Sequence, residues 1–340
     1  MSRGRTRAVL TDCWYAVAAA DDVGPDLQAV RVAGRPVVLG RTASGALLAL
    51  EDRCAHRAYP LSAGRVEGET VVCGLCGFAY GVDGACVSVP TQPHVPRGAR
   101  VPTFPTVERH GLVWVWVGTP GRSGLARVPD LPWLDDPGWV SAGGVLDVAA
   151  GVLLLLESFA DVTQVPVVAP EISPVVLQAA PPPLEVEVSE TTVRLSRRFA
   201  PAPVPAWQAH ALGLAASQML PHDQQGLFAS PAAWVDHWDV TLPDGGQARM
   251  RFTQLVTPVD AGRTRLLWRV SRDFAVLDES VSQQFASMFA DYYRRVADAL
   301  QVQQRVLDTD GPGPEVNVSA DAAALKVRAI VRQLLTEQPS

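Results

Sequence analysis

Between residues 29 and 50 apolar and polar positions alternate in short runs, AVRVAGRPVVLGRTASGALLAL, interrupted where Ala33-Gly34 and Ser44-Gly45 supply turn residues. This pattern predicts an antiparallel β domain. It continues through Thr70–Cys73, a turn at Asp83-Gly84 and the run GLVWVWVG (Gly111–Gly118), where period-two alternation puts Trp114 and Trp116 on one face. A Pro- and Gly-rich stretch from Thr119 to Pro137 marks a boundary. It divides the chain into a first domain, 1–120, and a second, 121–340.

The second domain opens with a predicted strand over Trp139–Ala149 and a helix over Gly151–Gln164. β-rich runs follow at Leu184–Phe199, Trp234–Thr241, Ala248–Thr257 and Thr264–Val270. Two helices close the chain. From Glu279 to Leu307 the residues Val281, Phe285, Met288, Phe289, Tyr292, Val296 and Leu300 recur at helical spacing. Ser319 is placed to cap the last helix, whose apolar face is Leu325, Val327, Ile330, Val331 and Leu334. The fold class is therefore α+β.

Composition narrows the function classes. A chain of 340 residues, 48% of them hydrophobic, can bury two cores. Its net charge of -6 leaves no basic face for nucleic acid or for an anionic membrane surface. The basic start MSRGRTRAVLTDCW is not followed by the apolar stretch and cleavage site of a secretory signal, and the longest apolar run, Val148 to Leu156, covers about half a membrane span. A cytoplasmic location is expected. In a reducing compartment, three of five cysteines crowded into two loops favour metal binding over disulfides. Cys13 and Cys86 read as small buried apolar residues.

Those loops lie in CAHRAYPLSAGRVEGETVVCGLCGFAY, residues 54–80. Cys54-x-His56 is followed by Cys73-x-x-Cys76, four soft or borderline ligands at a spacing that can close around an iron–sulfur cluster or a zinc ion. Gly74 and Gly77 ease the second loop.

Here the sequence resembles the Rieske non-haem iron oxygenases, in the branch of aromatic-acid demethylases such as the vanillate and dicamba enzymes. The resemblance is carried by CWYAVA (Cys13–Ala18), GRPVVLGR (Gly34–Arg41), ALEDRCAHRAYPLSAGRVEG (Ala49–Gly68), VERHGLVWVWVG (Val107–Gly118) and TPVDAGRTRLLWRVSRDF (Thr257–Phe274). It implies an N-terminal Rieske-type antiparallel β domain, then a helix-grip (START-like) antiparallel sheet with C-terminal helices. It also implies a [2Fe-2S] cluster and head-to-tail homotrimers, with an aspartate carrying electrons across each interface.

The chain departs from that family at two places. The second loop of the family reads Cys-x-x-His, whereas Cys76 stands here, giving three cysteines and His56. A thiolate for an imidazole makes the cluster more negative and lowers its potential, from about -150 to +300 mV for two-histidine centres toward about -400 mV. In ESFADVTQVPVVA (Glu157–Ala169) the family carries two iron-binding histidines after an aspartate. Asp161 matches the aspartate, but Gln164 and Ala169 stand at the histidine positions. Asp298, or alternatively Asp291, aligns with the third, carboxylate ligand. No mononuclear iron is expected.

These losses lead to the expectation of a redox-neutral cyclase or isomerase for a hydrophobic specialised metabolite in the former catalytic cavity, polarised by Gln164, Asp161, Asp298 or His237. Two alternatives stay open: an oxidoreductase using the three-cysteine cluster, or a non-catalytic partner of an intact oxygenase. Zinc in place of the [2Fe-2S] cluster is the alternative for the metal.

Overall fold

The computed structural model describes residues 9–338, so the first eight residues of the basic start lie outside the described residues. Two compact units are present. One comprises Thr11–Val128 with Thr257–Ala261; the other contains Pro129–Val256 and the residues from Gly262 onward.

The first unit is built from ten strands: β1 (Cys13–Ala19), β2 (Gln28–Val32), β3 (Arg35–Arg41), β4 (Leu47–Glu51), β5 (Arg65–Glu67), β6 (Thr70–Val72), β7 (Ala79–Gly81), β8 (Cys86–Ser88), β9 (Thr106–Arg109) and β10 (Leu112–Val117). They form three small antiparallel sheets, ordered β1-β10-β9, β2-β3-β4 and β5-β6-β7-β8. β10 is buried on both faces, which its unbroken apolar sequence LVWVWV permits. Trp116 pairs with Trp14 across the β1–β10 ladder, and their rings meet edge to face at 5.6 Å. A second core, with Val38, Leu48, Leu50, Leu61, Val71 and Tyr80, lies beneath the cysteine loops.

The second unit starts with β11 (Val140–Val148), α1 (Val152–Ala160) and α2 (Val165–Val168). The single helix expected over Gly151–Gln164 is broken. The Asp161 carboxylate accepts from Thr163 N (2.9 Å) and Thr163 Oγ1 (2.7 Å), starting a new short helical turn in place of the old helix. The run expected over Leu184–Phe199 is two strands, β12 (Glu185–Val188) and β13 (Val193–Pro203), turned back at Ser189 and Thr192. Next come α3 (Ala206–Leu212) and β14 (Met219–Ser230), neither of them foreseen, then β15 (Ala233–Thr241), β16 (Gln247–Asp260) and β17 (Arg263–Arg272).

The seven strands form one antiparallel sheet in the order β11-β17-β16-β15-β14-β13-β12. The chain ends with α4 (Glu279–Asp310) and α5 (Ala322–Glu337). Asp278 caps α4 by accepting from Ser280 N and Val281 N. The buried stripe of α4 includes Val281, Phe285, Phe289, Tyr293, Val296 and Leu300. Its rings pack on the sheet: Tyr293 stacks on Trp268 at 4.8 Å and Phe289 meets Phe252 at 5.5 Å. Tyr293, rather than the expected Tyr292, is the fully buried member of the stripe. α5 packs on α1, where Arg328 holds Glu157 with two bonds of 2.6 Å. No helix among the described residues is long and apolar enough to cross a membrane.

Candidate functional site

The two cysteine loops share one shape. In the first, Cys54 N donates to Tyr59 O (2.8 Å) and Ala58 N to Cys54 O (2.9 Å); in the second, Cys73 N donates to Phe78 O (2.9 Å) and Gly77 N to Cys73 O (3.0 Å). The fifth residue of each is left-handed, Ala58 at φ 56° and Gly77 at φ 72°. Small residues let the loops approach: a Cβ on Gly74 would sit 2.4 Å from Ala63 O, and one on Gly64 2.1 Å from Val72 O. At the tips the Sγ atoms of Cys54, Cys73 and Cys76 lie within 4.8 Å of one another, with Cys54 and Cys76 3.6 Å apart.

His56 stands outside this group. It is exposed, and its ring stacks on Phe78 at 4.8 Å with 6° between the planes. Burial opposes ionisation of the Cys54 thiol. Hydrogen bonds from Tyr80, from the His56 backbone and from the neighbouring thiols outweigh it and hold the group below the usual thiol range. Cys76 is pushed up to about 12, chiefly by burial and then by the adjacent thiols. Cys13 and Cys86 are buried outside the thiol group, Cys86 in the same core as Cys54 and Cys73.

Three thiols at this spacing fit a thiophilic metal centre. Ligands on one tetrahedral ion with bonds of about 2.3 Å stand roughly 3.8 Å apart, so a single zinc ion suits the donors as well as a two-iron cluster. The Tyr80 hydroxyl serves the site from below, 3.1 Å from Cys54 Sγ and 3.2 Å from Ala55 N, which donates to it. Tyr80→Phe is expected to leave that amide without its acceptor and to cost about 1–2 kcal/mol, read as a lower midpoint in urea.

The second unit contains a partly open cavity between the inner face of the sheet and helices α3 and α4. Its apolar wall includes Val162, Val165, Met250, Phe252 and Phe289. Its polar members are Gln208, Gln224, Asp236, Gln254, Tyr292 and Tyr293. Asp236 Oδ2 accepts from Trp234 Nε1 at 2.9 Å, and Gln224 Oε1 accepts from Arg197 Nε at 2.7 Å. Tyr293 Oη lies 2.9 Å from the Gln254 amide. Burial raises Asp236 to about 7, against the pull of the Trp234 indole N–H, of the nearby Gln224 amide and of the Arg197 charge.

The four polar residues singled out from sequence are not brought together. Asp161 and Gln164 stand on the segment whose Val162 and Val165 line the cavity, and Gln164 Nε2 is spent on Ser158 O (2.8 Å) and Ser158 Oγ (2.7 Å). Ala169 is fully buried. His237 points to the opposite face of β15 from Asp236, edge-on to Trp133, in a separate hollow with Glu185, Glu187 and Arg194. Burial lowers it to about 4, helped by Arg251 and Arg194. Asp298 is exposed on α4 and accepts from Gln301; Asp291 pairs with Arg294 and Arg295.

Asp236 was missed. The alternation Trp234, Asp236, Trp238 puts a carboxylate on the apolar side of a period-two strand, a signal present in AWVDHWDVT itself.

Residues 13–105 match the model of the Rieske [2Fe-2S] domain, and residues 148–337 match that of the vanillate O-demethylase oxygenase C-terminal domain. A putative toluene-4-sulfonate monooxygenase system iron-sulfur subunit from Comamonas testosteroni is 27% identical over 96% of this chain and 97% of its own length. A vanillate O-demethylase oxygenase subunit from a Pseudomonas species is 26% identical over 89% of this chain and 94% of its own. In fold, dicamba monooxygenase bound to 3,6-dichlorosalicylic acid superposes with a TM-score of 0.88 at 22% identity, covering 97% and 98% of the two chains.

Proposed function

The chain belongs to the Rieske oxygenase family with a vanillate O-demethylase-type C-terminal domain, and from that membership we propose that it has given up oxygen activation for redox-neutral chemistry. The reading is a cyclase or isomerase acting on a hydrophobic small molecule held in the cavity. The observation that carries it is the pair Gln164 and Ala169, where the family resemblance expects imidazoles. One side chain is an amide bonded to Ser158, the other a buried methyl, and neither offers what ferrous iron binds tightly.

In the first unit, Cys54, Cys73 and Cys76 with His56 would hold the metal, either a [2Fe-2S] cluster or zinc; a cluster would supply electron transfer and zinc a structural tie. Redox use of that centre is a second reading, favoured by the three thiols that remain gathered. Assembly as a homotrimer belongs to the family-based reading and is checked by sedimentation.

The deciding experiment is iron, zinc and acid-labile sulfide per chain in protein purified without oxygen. About two irons with two sulfides, or about one zinc, support the reading; about three irons restore the oxygenase. A gain-of-site variant checks the alignment of the segment. Gln164→His combined with Ala169→His is expected to add iron to the second unit, at an overpacking cost of about 1–3 kcal/mol at the buried Ala169. Unchanged iron content would mean that these are not the ligand positions.

A further inference from the structure

The cavity is lined by a carboxyl group of which the fold engages one oxygen, and by several hydrogen-bond donors that it leaves unpartnered among the described residues. Asp236 is 7% exposed and lines the cavity from β15. Its Oδ2 is engaged by the Trp234 indole, but among the described residues Oδ1 has no hydrogen-bond partner. Three buried N–H groups of the same lining, Trp207 Nε1, Gln208 Nε2 and Trp238 Nε1, are likewise unpartnered there. Buried polar atoms are almost always satisfied, so four orphans around one space point to a ligand with complementary groups. A structural carboxyl would be expected to use both oxygens.

Resting on the redox-neutral reading above, we propose that Asp236 is the general acid–base of the cavity. Its substrate is a flat, hydrophobic molecule bearing a carbonyl or similar acceptor, which the N–H groups of Trp207, Gln208 and Trp238 hold. The chemistry balances without an oxidant. The carboxylate takes a proton from the carbon beside the acceptor, the C–H electron pair moves to the acceptor oxygen, and the indole and amide N–H groups stabilise the charge there. Returning the proton to another carbon completes an isomerisation; attack of the enolate carbon on a second carbonyl carbon of the same molecule breaks that C=O π bond, and the new alkoxide takes the proton back from Asp236, which completes a ring.

Charged and titratable neighbours suit that role. Arg197 on β13 attracts the ionised form, while its own Nε bonds to Gln224 and its guanidinium lies over Phe199. Burial lowers Arg197, and the charges of Asp161 and Asp236 partly offset it. Tyr292 and Tyr293 face the group from α4, both raised by burial and therefore neutral. His222 on β14, edge-on to Trp238, is lowered by burial. Both forms of Asp236 are then populated near neutral pH, as a proton shuttle needs.

The native substrate is not required for the test. 5-Nitrobenzisoxazole opens when a base removes its ring C–H proton: the electron pair forms the nitrile, the N–O bond breaks, and a coloured phenolate leaves. The native protein is expected to accelerate this opening, with a rate that rises through an inflection near pH 7 to a plateau. Asp236→Asn, checked for folding by circular dichroism, is expected to lose about a hundredfold or more, and Asp236→Glu to keep part of the rate. No acceleration by the native protein, an acceleration that survives Asp236→Asn, or a profile without inflection overturns the assignment. Dependence of the rate on oxygen would instead overturn the redox-neutral reading and leave Asp236 untouched.

Discussion

Cys73→Ser is expected to strip the metal from the first unit and to lower that unit's thermal midpoint by about 15 °C. The side chain is fully buried at the start of the second loop, with its Sγ within 4.8 Å of the other two thiols. A serine hydroxyl stays protonated where the thiol ionises, so it cannot replace the ligand. Metal binding free energy is folding free energy. Apparent values reach about 10 kcal/mol or more in small zinc peptides, but this unit has strands and two cores of its own, so about 3–4 kcal/mol is the expected loss. At several degrees per kcal/mol for a unit of this size, the shift follows. The control is Cys86→Ser, where a buried thiol outside the three-thiol group donates to Ser88 O at 3.4 Å; it is expected to keep its metal. Metal content and calorimetry on both variants decide, and equal metal in the two would sink the assignment of Cys73 as a ligand.

Asp236→Asn is expected to make the protein more stable at pH 8 by up to about 4 kcal/mol and to change it little at pH 4. The folded state raises this carboxyl to about 7, whereas in the unfolded chain it titrates at the ordinary aspartate value of 3.8. Between those values the folded state binds the extra proton. The benefit of keeping the group neutral is complete below about pH 4 and lost as pH climbs through 7, at about 1.4 kcal/mol for each pH unit that separates the two titrations. Asparagine has the same shape and never ionises, so it avoids the penalty while keeping an acceptor for the Trp234 N–H. Urea denaturation at the two pH values reads the difference. A destabilised variant at pH 8 would mean that the carboxylate is better solvated than its burial indicates. Together with the ring-opening assay, this sets stability and chemistry in opposition at one residue, as expected where a fold tolerates a costly group for its reactivity.

Much of the architecture was legible because burial follows period. The strands of the first unit, the long α4 stripe and the last helix all carry apolar residues at the spacing of the element that buries them. The cysteine loops were legible from chemistry alone. What escaped detection lies around the cavity. β14 presents His222, Gln224 and Gly226 inward, so its buried face reads as polar, and α3 is only seven residues long. The break between α1 and α2 hides in an apolar sequence because it depends on one carboxylate, Asp161, bonding locally to Thr163. His237 stands out in the sequence as a histidine, yet it is Asp236, one residue earlier, that lines the cavity, because a one-residue step along a strand exchanges faces. Asp298 shows the limit of alignment, since its place on α4 leaves the carboxylate in solvent.

The clasp between Glu157 and Arg328 joins α1 to α5, and α1 leads directly into the turn that presents Val162 and Val165 to the cavity. Helix α5 is thereby tied to a wall of the cavity. A pull on α5 is expected to reach, some 171 residues upstream in the sequence, the segment that carries Val162 and Val165. Substitutions in α5 are accordingly expected to alter the shape of that wall without disturbing Asp236 on the sheet.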